Sequence, residues 1–124
     1  MAETPIAQAP DPAGNGRRIL VVDDDVDARE SLGLLLELDG HRVAYAADGA
    51  EALRCEREFE PALVLLDLGL PDIDGAVVAR RIRERGSAAC IVALSGAPGG
   101  AEVDLFDARL SKPARVEDLI AYLP

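Results

Sequence analysis

Cysteine, positive charge and long apolar runs are all scarce in this chain, and each shortage closes off a class of protein. The two cysteines, Cys55 and Cys90, show no CxxC spacing and have no histidine nearby in sequence. A metal site or a disulfide framework is therefore disfavoured, and small core residues of a reducing compartment are expected. Lysine and arginine total 13 against 23 acids, a formal net charge of -10 with a pI near 4.4. That field repels nucleic-acid backbones and anionic membranes alike, so no direct contact with either is expected. No segment approaches the length of a membrane span, and no basic stretch followed by an apolar run opens the chain. A cytoplasmic location follows as the expectation. With 124 residues there is room for one core and no second folded domain. Residues 1–16 carry Pro5, Pro10, Pro12, Gly14 and Gly16 without periodicity, which predicts a flexible leader ahead of a domain at 17–124.

Short apolar runs bounded by turn formers are what the chain has in quantity. Ala62–Leu66, Ile19–Val22 and Cys90–Leu94 are too short for confident helices and read as strands buried on both faces. Arg42–Ala46 and Ala108–Ser111 add two shorter strands. Between them lie helical patterns. Val26–Leu38 has apolar residues at 28, 32, 35 and 36 and a stop at Asp39-Gly40, although Gly33 inside it costs about 1 kcal/mol relative to Ala. Asp48-Gly-Ala-Glu51 resembles a capping box opening a helix over Ala50–Glu58. Asp74 caps another that runs to about Arg85, with Val78 and Ile82 inward and Arg80, Arg81, Arg83 and Arg85 on a solvated face. Pro98–Phe106 leaves room for one short helix, and Arg115–Leu123 makes the last. His41, the only histidine, falls in a turn and reads as a surface residue.

Strand and helix thus alternate five times, and right-handed crossovers then produce a parallel sheet with helices on both faces. All strands of such a sheet end on one edge, and that edge is where ligands bind. Four of the five strands end in side chains with chemistry: Asp23 and Asp24, then Asp67, Ser95 and Lys112. Clustered carboxylates make an oxygen-rich site suited to a hard divalent cation such as Mg2+. The lysine adds a point charge for a carboxylate or a phosphoryl oxygen, and the serine adds one donor.

The pattern Ile19-Leu-Val-Val-Asp23-Asp24, Leu65-Leu66-Asp67 with Leu70-Pro71 and Asp74-Gly75, Ala93-Leu94-Ser95-Gly96, and Lys112-Pro113 resembles the receiver domain of bacterial two-component response regulators. The resemblance covers residues 17–123. It implies a flavodoxin-like doubly wound (βα)5 sheet of order 2-1-3-4-5, with a shortened fourth helix. It implies that Asp67 is the phosphoacceptor, taking a phosphoryl group from a histidine kinase or a histidine phosphotransfer protein. Asp24, Asp67 and the backbone carbonyl of Gly69 would bind Mg2+ directly, with Asp23 reaching it through water. Lys112 would neutralise the transferred group, Ser95 would bond one of its oxygens, and Lys112-Pro113 would be a cis peptide. A stand-alone signalling protein follows, catalysing only its own phosphorylation and dephosphorylation and acting on a protein target. Two alternatives stay open. One is a pseudo-receiver whose partner binding ignores phosphorylation. The other is a haloacid-dehalogenase-like phosphatase with Asp23 as nucleophile, which leaves Asp67 unexplained and needs a further acidic motif absent after Lys112.

Two departures from the receiver pattern bear on mechanism. Most receivers carry an aromatic or a histidine three residues before the lysine, and here that residue is Arg109. A long cation does not suit an apolar slot, so aromatic switching is not expected. The interval from Ser95 to Lys112 is also short, and Pro98, Gly99 and Gly100 weaken any helix within it.

Overall fold

A computed structural model of the chain describes residues 17–95, 106–112 and 114–122. The expected leader, the expected short helix after Pro98 and the expected cis peptide at Pro113 fall outside those residues. Five strands, β1 (Arg18–Val22), β2 (Arg42–Ala46), β3 (Leu63–Asp67), β4 (Cys90–Ser95) and β5 (Ala108–Ser111), form one sheet in the order β2-β1-β3-β4-β5. Every neighbouring pair is parallel. The described helices, numbered in chain order, are α1 (Val26–Leu38), α2 (Gly49–Phe59), α3 (Gly75–Glu84) and α4 (Val116–Ile120).

Alternation along the central strands divides the core in two. Leu20, Val22, Val64, Leu66, Ile91 and Ala93 point to one face, against Ala52 of α2 and Val78 and Ile82 of α3. Ile19, Val21, Leu63, Leu65, Val92 and Leu94 point to the other, against Leu36 of α1 and Leu119 of α4. A strand covered on both sides must be apolar at successive positions, which is why β1 and β3 stand out in the sequence. β3 begins one residue later than expected and takes in Asp67, whose Cα pairs with Leu94. The acid is therefore held by the ladder and not by a loop. α4 is shorter than Arg115–Leu123; Arg115 sits at its N-cap with no side-chain capping bond, and Leu123 is outside the described residues.

Three sequence expectations change when side chains are placed. The first concerns α1, which buries Gly33 and Leu36 while Leu34, Leu35 and Leu38 are more than half exposed. A Cβ on Gly33 would come within 2.2 Å of the Tyr45 ring, so the glycine lets β2's tyrosine lie directly on the helix. That close approach rotates the inward face away from Leu35. The second concerns His41, whose side chain is only 7% exposed, bonded to Asp39 at 3.0 Å and accepting from the Arg17 N–H at Nδ1. It ties the turn after α1 to the start of β1. The third concerns the arginines of α3. Arg83 bonds the Ala89 carbonyl and Asp107, and Arg85 Nε donates to the buried Glu56 at 2.8 Å. Those two arginines fasten α3 to its surroundings, so only part of the cluster is a solvated face.

Both cysteines are free and half-buried. Burial, then the nearby Asp107 charge, pushes the Cys90 thiol up to about 11. Burial also raises Cys55. Neither is a ready nucleophile at neutral pH. Among the described residues no helix is long and apolar enough to cross a membrane.

Candidate functional site

The strand registers decide where the site lies. Val22 stands opposite Ala46 on one side and Leu66 on the other, and Asp67 stands opposite Leu94. The carboxyl ends of β1, β3 and β4 are thus level, and the residues just beyond them share one edge. Asp23, Asp24 and Asp67 meet there, each offering a carboxylate oxygen within 4.8 Å of the others. Asp23 and Asp67 are buried, with 5% and 8% of their surface exposed, whereas Asp24 faces solvent.

Lys112 arrives from the end of β5, and its backbone N–H donates to the Ser95 carbonyl at 2.9 Å. Its ammonium lies 2.9 Å from Asp23 Oδ2 and 3.3 Å from Asp67 Oδ1. Burial pulls the lysine's proton affinity down, but the hydrogen bond to Asp23 and the Asp67 charge outweigh that and leave it above the ordinary 10.5. The backbone N–H of Gly69 donates to the same Asp67 oxygen at 3.1 Å. Asp23 accepts from the Asp25 N–H at 2.9 Å through Oδ1, and its carbonyl takes a bond from Arg29. Ser95 ends β4, half-buried, one residue past the partner of Asp67.

Mutual repulsion among three carboxylates is offset here by one ammonium and by main-chain donors. The donor set is oxygen only, anionic and partly open to solvent, which fits a hard divalent cation that keeps several waters. Softer or nitrogen-preferring metals are poorly matched, because neither cysteine nor histidine is among the converging residues.

Two acids near the site have structural tasks. Asp25 is the N-cap of α1 and accepts from the Asp27 and Ala28 N–H groups. Asp72 had no expected role. Its carboxylate accepts from the Gly49 and Ala50 N–H groups at 2.8 and 3.0 Å, clamping the loop after β3 to the start of α2. Those backbone bonds, the one from Gly49 first, hold it below the ordinary carboxylate range. The only sequence signal was one more acid in a loop rich in turn formers.

Gly75 opens α3 directly beneath the loop that follows β3. A Cβ there would lie 2.8 Å from Leu68 Cδ2, 3.1 Å from Leu68 Cα and 3.3 Å from the Asp67 carbonyl. Helix propensity alone favours alanine by about 1 kcal/mol. The backbone approach reverses the sign: Gly75→Ala is expected to lose about 1–3 kcal/mol in denaturant unfolding, because the backbone at Leu68, just after Asp67, must shift. A variant as stable as the parent or more so would show that the loop yields freely.

Comparison with known proteins agrees with the geometry. The model of the response regulator receiver domain matches residues 19–123. The chain is similar to the response regulator MprA of Mycobacterium sp. strain KMS, 40% identical over 84% of this chain and 47% of the relative. It is also similar to the DNA-binding response regulator MtrA of Mycobacterium tuberculosis, 39% identical over 85% of this chain and 48% of the relative. The chain thus spans about half the length of these relatives. Among solved structures, the response regulator TrrA of Thermotoga maritima, in complex with Mg2+ and BeF, superposes with a TM-score of 0.77 at 31% identity, over 85% of this chain and 94% of that one. A CheY-like receiver domain from Methylobacillus flagellatus gives 0.77 at 30% identity, over 85% and 93%. A parallel sheet of order 2-1-3-4-5 is the fold these solved structures share with it, and the chain belongs to the response regulator receiver domain family.

Proposed function

We propose that this chain accepts a phosphoryl group on Asp67 from a phosphohistidine of a histidine kinase or a histidine phosphotransfer protein. The observation that carries this reading is the meeting of Asp23, Asp24 and Asp67 within 4.8 Å, with Lys112 bridging two of them. An Asp67 oxygen attacks phosphorus as the P–N bond breaks, and the bond's electrons stay with the imidazole nitrogen, which ends protonated. Lys112 balances the negative charge of the incoming group, and positioning with charge neutralisation is most of what such a transfer needs. Ser95 donates to a phosphoryl oxygen. Mg2+, held by Asp24, Asp67 and the Gly69 carbonyl with Asp23 through water, would supply further neutralisation of the phosphoryl oxygens when bound.

The partner's place follows from α1. Leu34, Leu35 and Leu38 form an exposed apolar strip, and a cavity of about 500 Å3 lined by Ala28, Ser31, Leu32 and Leu35 adjoins Asp23 and Lys112. A helical partner seated on α1 brings its phosphohistidine to the carboxyl edge. The chain's net charge of -10 argues that this domain itself contacts protein and neither nucleic acid nor membrane.

Beryllofluoride, a phosphoryl mimic, added with Mg2+ should shift the amides of Asp67, Gly69, Ser95 and Lys112 in an NMR spectrum. A spectrum that stays silent at saturating reagent rejects the reading.

A further inference from the structure

β5 carries a cation that the acidic pocket does not account for. Arg109 pairs in register with Ala93, so it projects from the same sheet face as Ser95, two residues along β4. It is half-buried, and its Nη2 lies 3.5 Å from Ser95 Oγ. Among the described residues no carboxylate pairs with it. Asp107, two positions away, is taken by Arg83 and the Ile91 N–H, while Lys112 occupies Asp23 and Asp67. A guanidinium has five donors and a permanent charge, so one bond to a neutral hydroxyl leaves it donors with which to meet an incoming anion.

We propose that Arg109 is a positioning residue for the phosphoryl group, pairing with it and holding Ser95 Oγ against it. The proposal rests on Asp67 being the acceptor. Lys112 is a point charge already shared between two acids, whereas the planar fork of an arginine reaches two oxygens at once and suits a phosphoryl group and a hydroxyl together. Among the described residues, the side-chain bond that Arg109 makes is the one to Ser95. Phosphorylation adds nearly two negative charges beyond Asp67 and draws guanidinium and hydroxyl inward together. Because Arg109 belongs to β5, a short strand at the edge of the sheet, the modification is transmitted to that edge through an ion pair. Readout by an ion pair depends on salt in a way that rotation of an apolar ring does not.

The test titrates the full chain with beryllofluoride in the presence of Mg2+, comparing wild type, Arg109→Gln and Arg109→Lys, each checked for folding by circular dichroism. Arg109→Gln is expected to bind on the order of tenfold more weakly. Its affinity should also fall less steeply with added KCl, and the Ser95 amide should move less on binding. Arg109→Lys keeps the charge without the fork and should recover only part of the loss, which a merely structural role does not predict. If wild type binds and Arg109→Gln binds equally with the same salt slope, the role given to Arg109 is overturned while Asp67 stands. If wild type itself does not bind, the acceptor reading has failed first.

Discussion

Asp67→Asn is expected to abolish phosphoryl uptake from acetyl phosphate without unfolding the protein. The carboxylate is buried, and its Oδ1 is held by the Gly69 N–H and Lys112. An amide of the same shape keeps the volume and can keep its oxygen toward those donors. It removes the nucleophile, since a neutral amide oxygen does not form the acyl phosphate. It also removes one of three like charges that face each other within 4.8 Å. The variant should therefore melt at the same temperature as the parent or higher, because relief of repulsion offsets a weaker bond to Lys112. Intact mass after incubation with donor and Mg2+ reads the result directly, with a single added phosphoryl group on the parent and none on the variant. Retained labelling would move the nucleophile to Asp23. The same variant separates the two signalling readings. A partner that binds parent and Asp67→Asn equally under phosphorylating conditions identifies a pseudo-receiver.

The parts of this structure that were legible in the sequence are those where one physical requirement dominates. β1 and β3 must be apolar at every buried step, and parallel topology brings their ends together however far apart Asp23 and Asp67 stand in the chain. The face of α1 was not legible, because Leu32, Leu34, Leu35, Leu36 and Leu38 supply apolar residues all round and periodicity cannot choose between them. The choice is made by Tyr45 of β2 lying against Gly33, a contact between elements that no local pattern records. Asp72 was silent for the same reason. Its partners Gly49 and Ala50 are more than twenty positions away and come near only after α2 and the β3 loop have docked. Glu56 and Arg85 look like surface residues in their own helices, yet packing of α3 on α2 buries the glutamate and makes the pair structural. Arg109 was visible as a departure, but its contact with Ser95 needed the β4–β5 register.

Lys112 is the only lysine in the chain, beside twelve arginines, and its replacement should have the second largest effect. Lys112→Met removes the ammonium that lies against both Asp23 and Asp67. Loss of one preorganised charge facing a transferring group typically slows the chemical step on the order of a hundredfold or more, and phosphorylation by acetyl phosphate should slow by that much. Stability should fall too, because two buried acids lose their counter-charge. A fully buried pair broken this way costs about 3–5 kcal/mol, and since Lys112 is about a third exposed the expected loss is nearer 1–2 kcal/mol. Added Mg2+ should narrow the gap between parent and variant, since it neutralises the same acids. The pH dependence has a definite sign. A folded-state proton affinity above 10.5 means that the lysine's contribution is complete at all lower pH and is lost only as the medium becomes more alkaline than that. The stability gap between parent and Lys112→Met should therefore not change with the lysine's own titration across neutral pH. Lys112→Arg makes the decisive comparison. It restores a positive charge and should restore much of the stability, yet a rigid planar fork cannot sit between two carboxylates as a compact ammonium does. Phosphorylation should remain slow in that variant, and full recovery of rate would show that charge alone, and not the shape that carries it, is what this corner of the sheet requires.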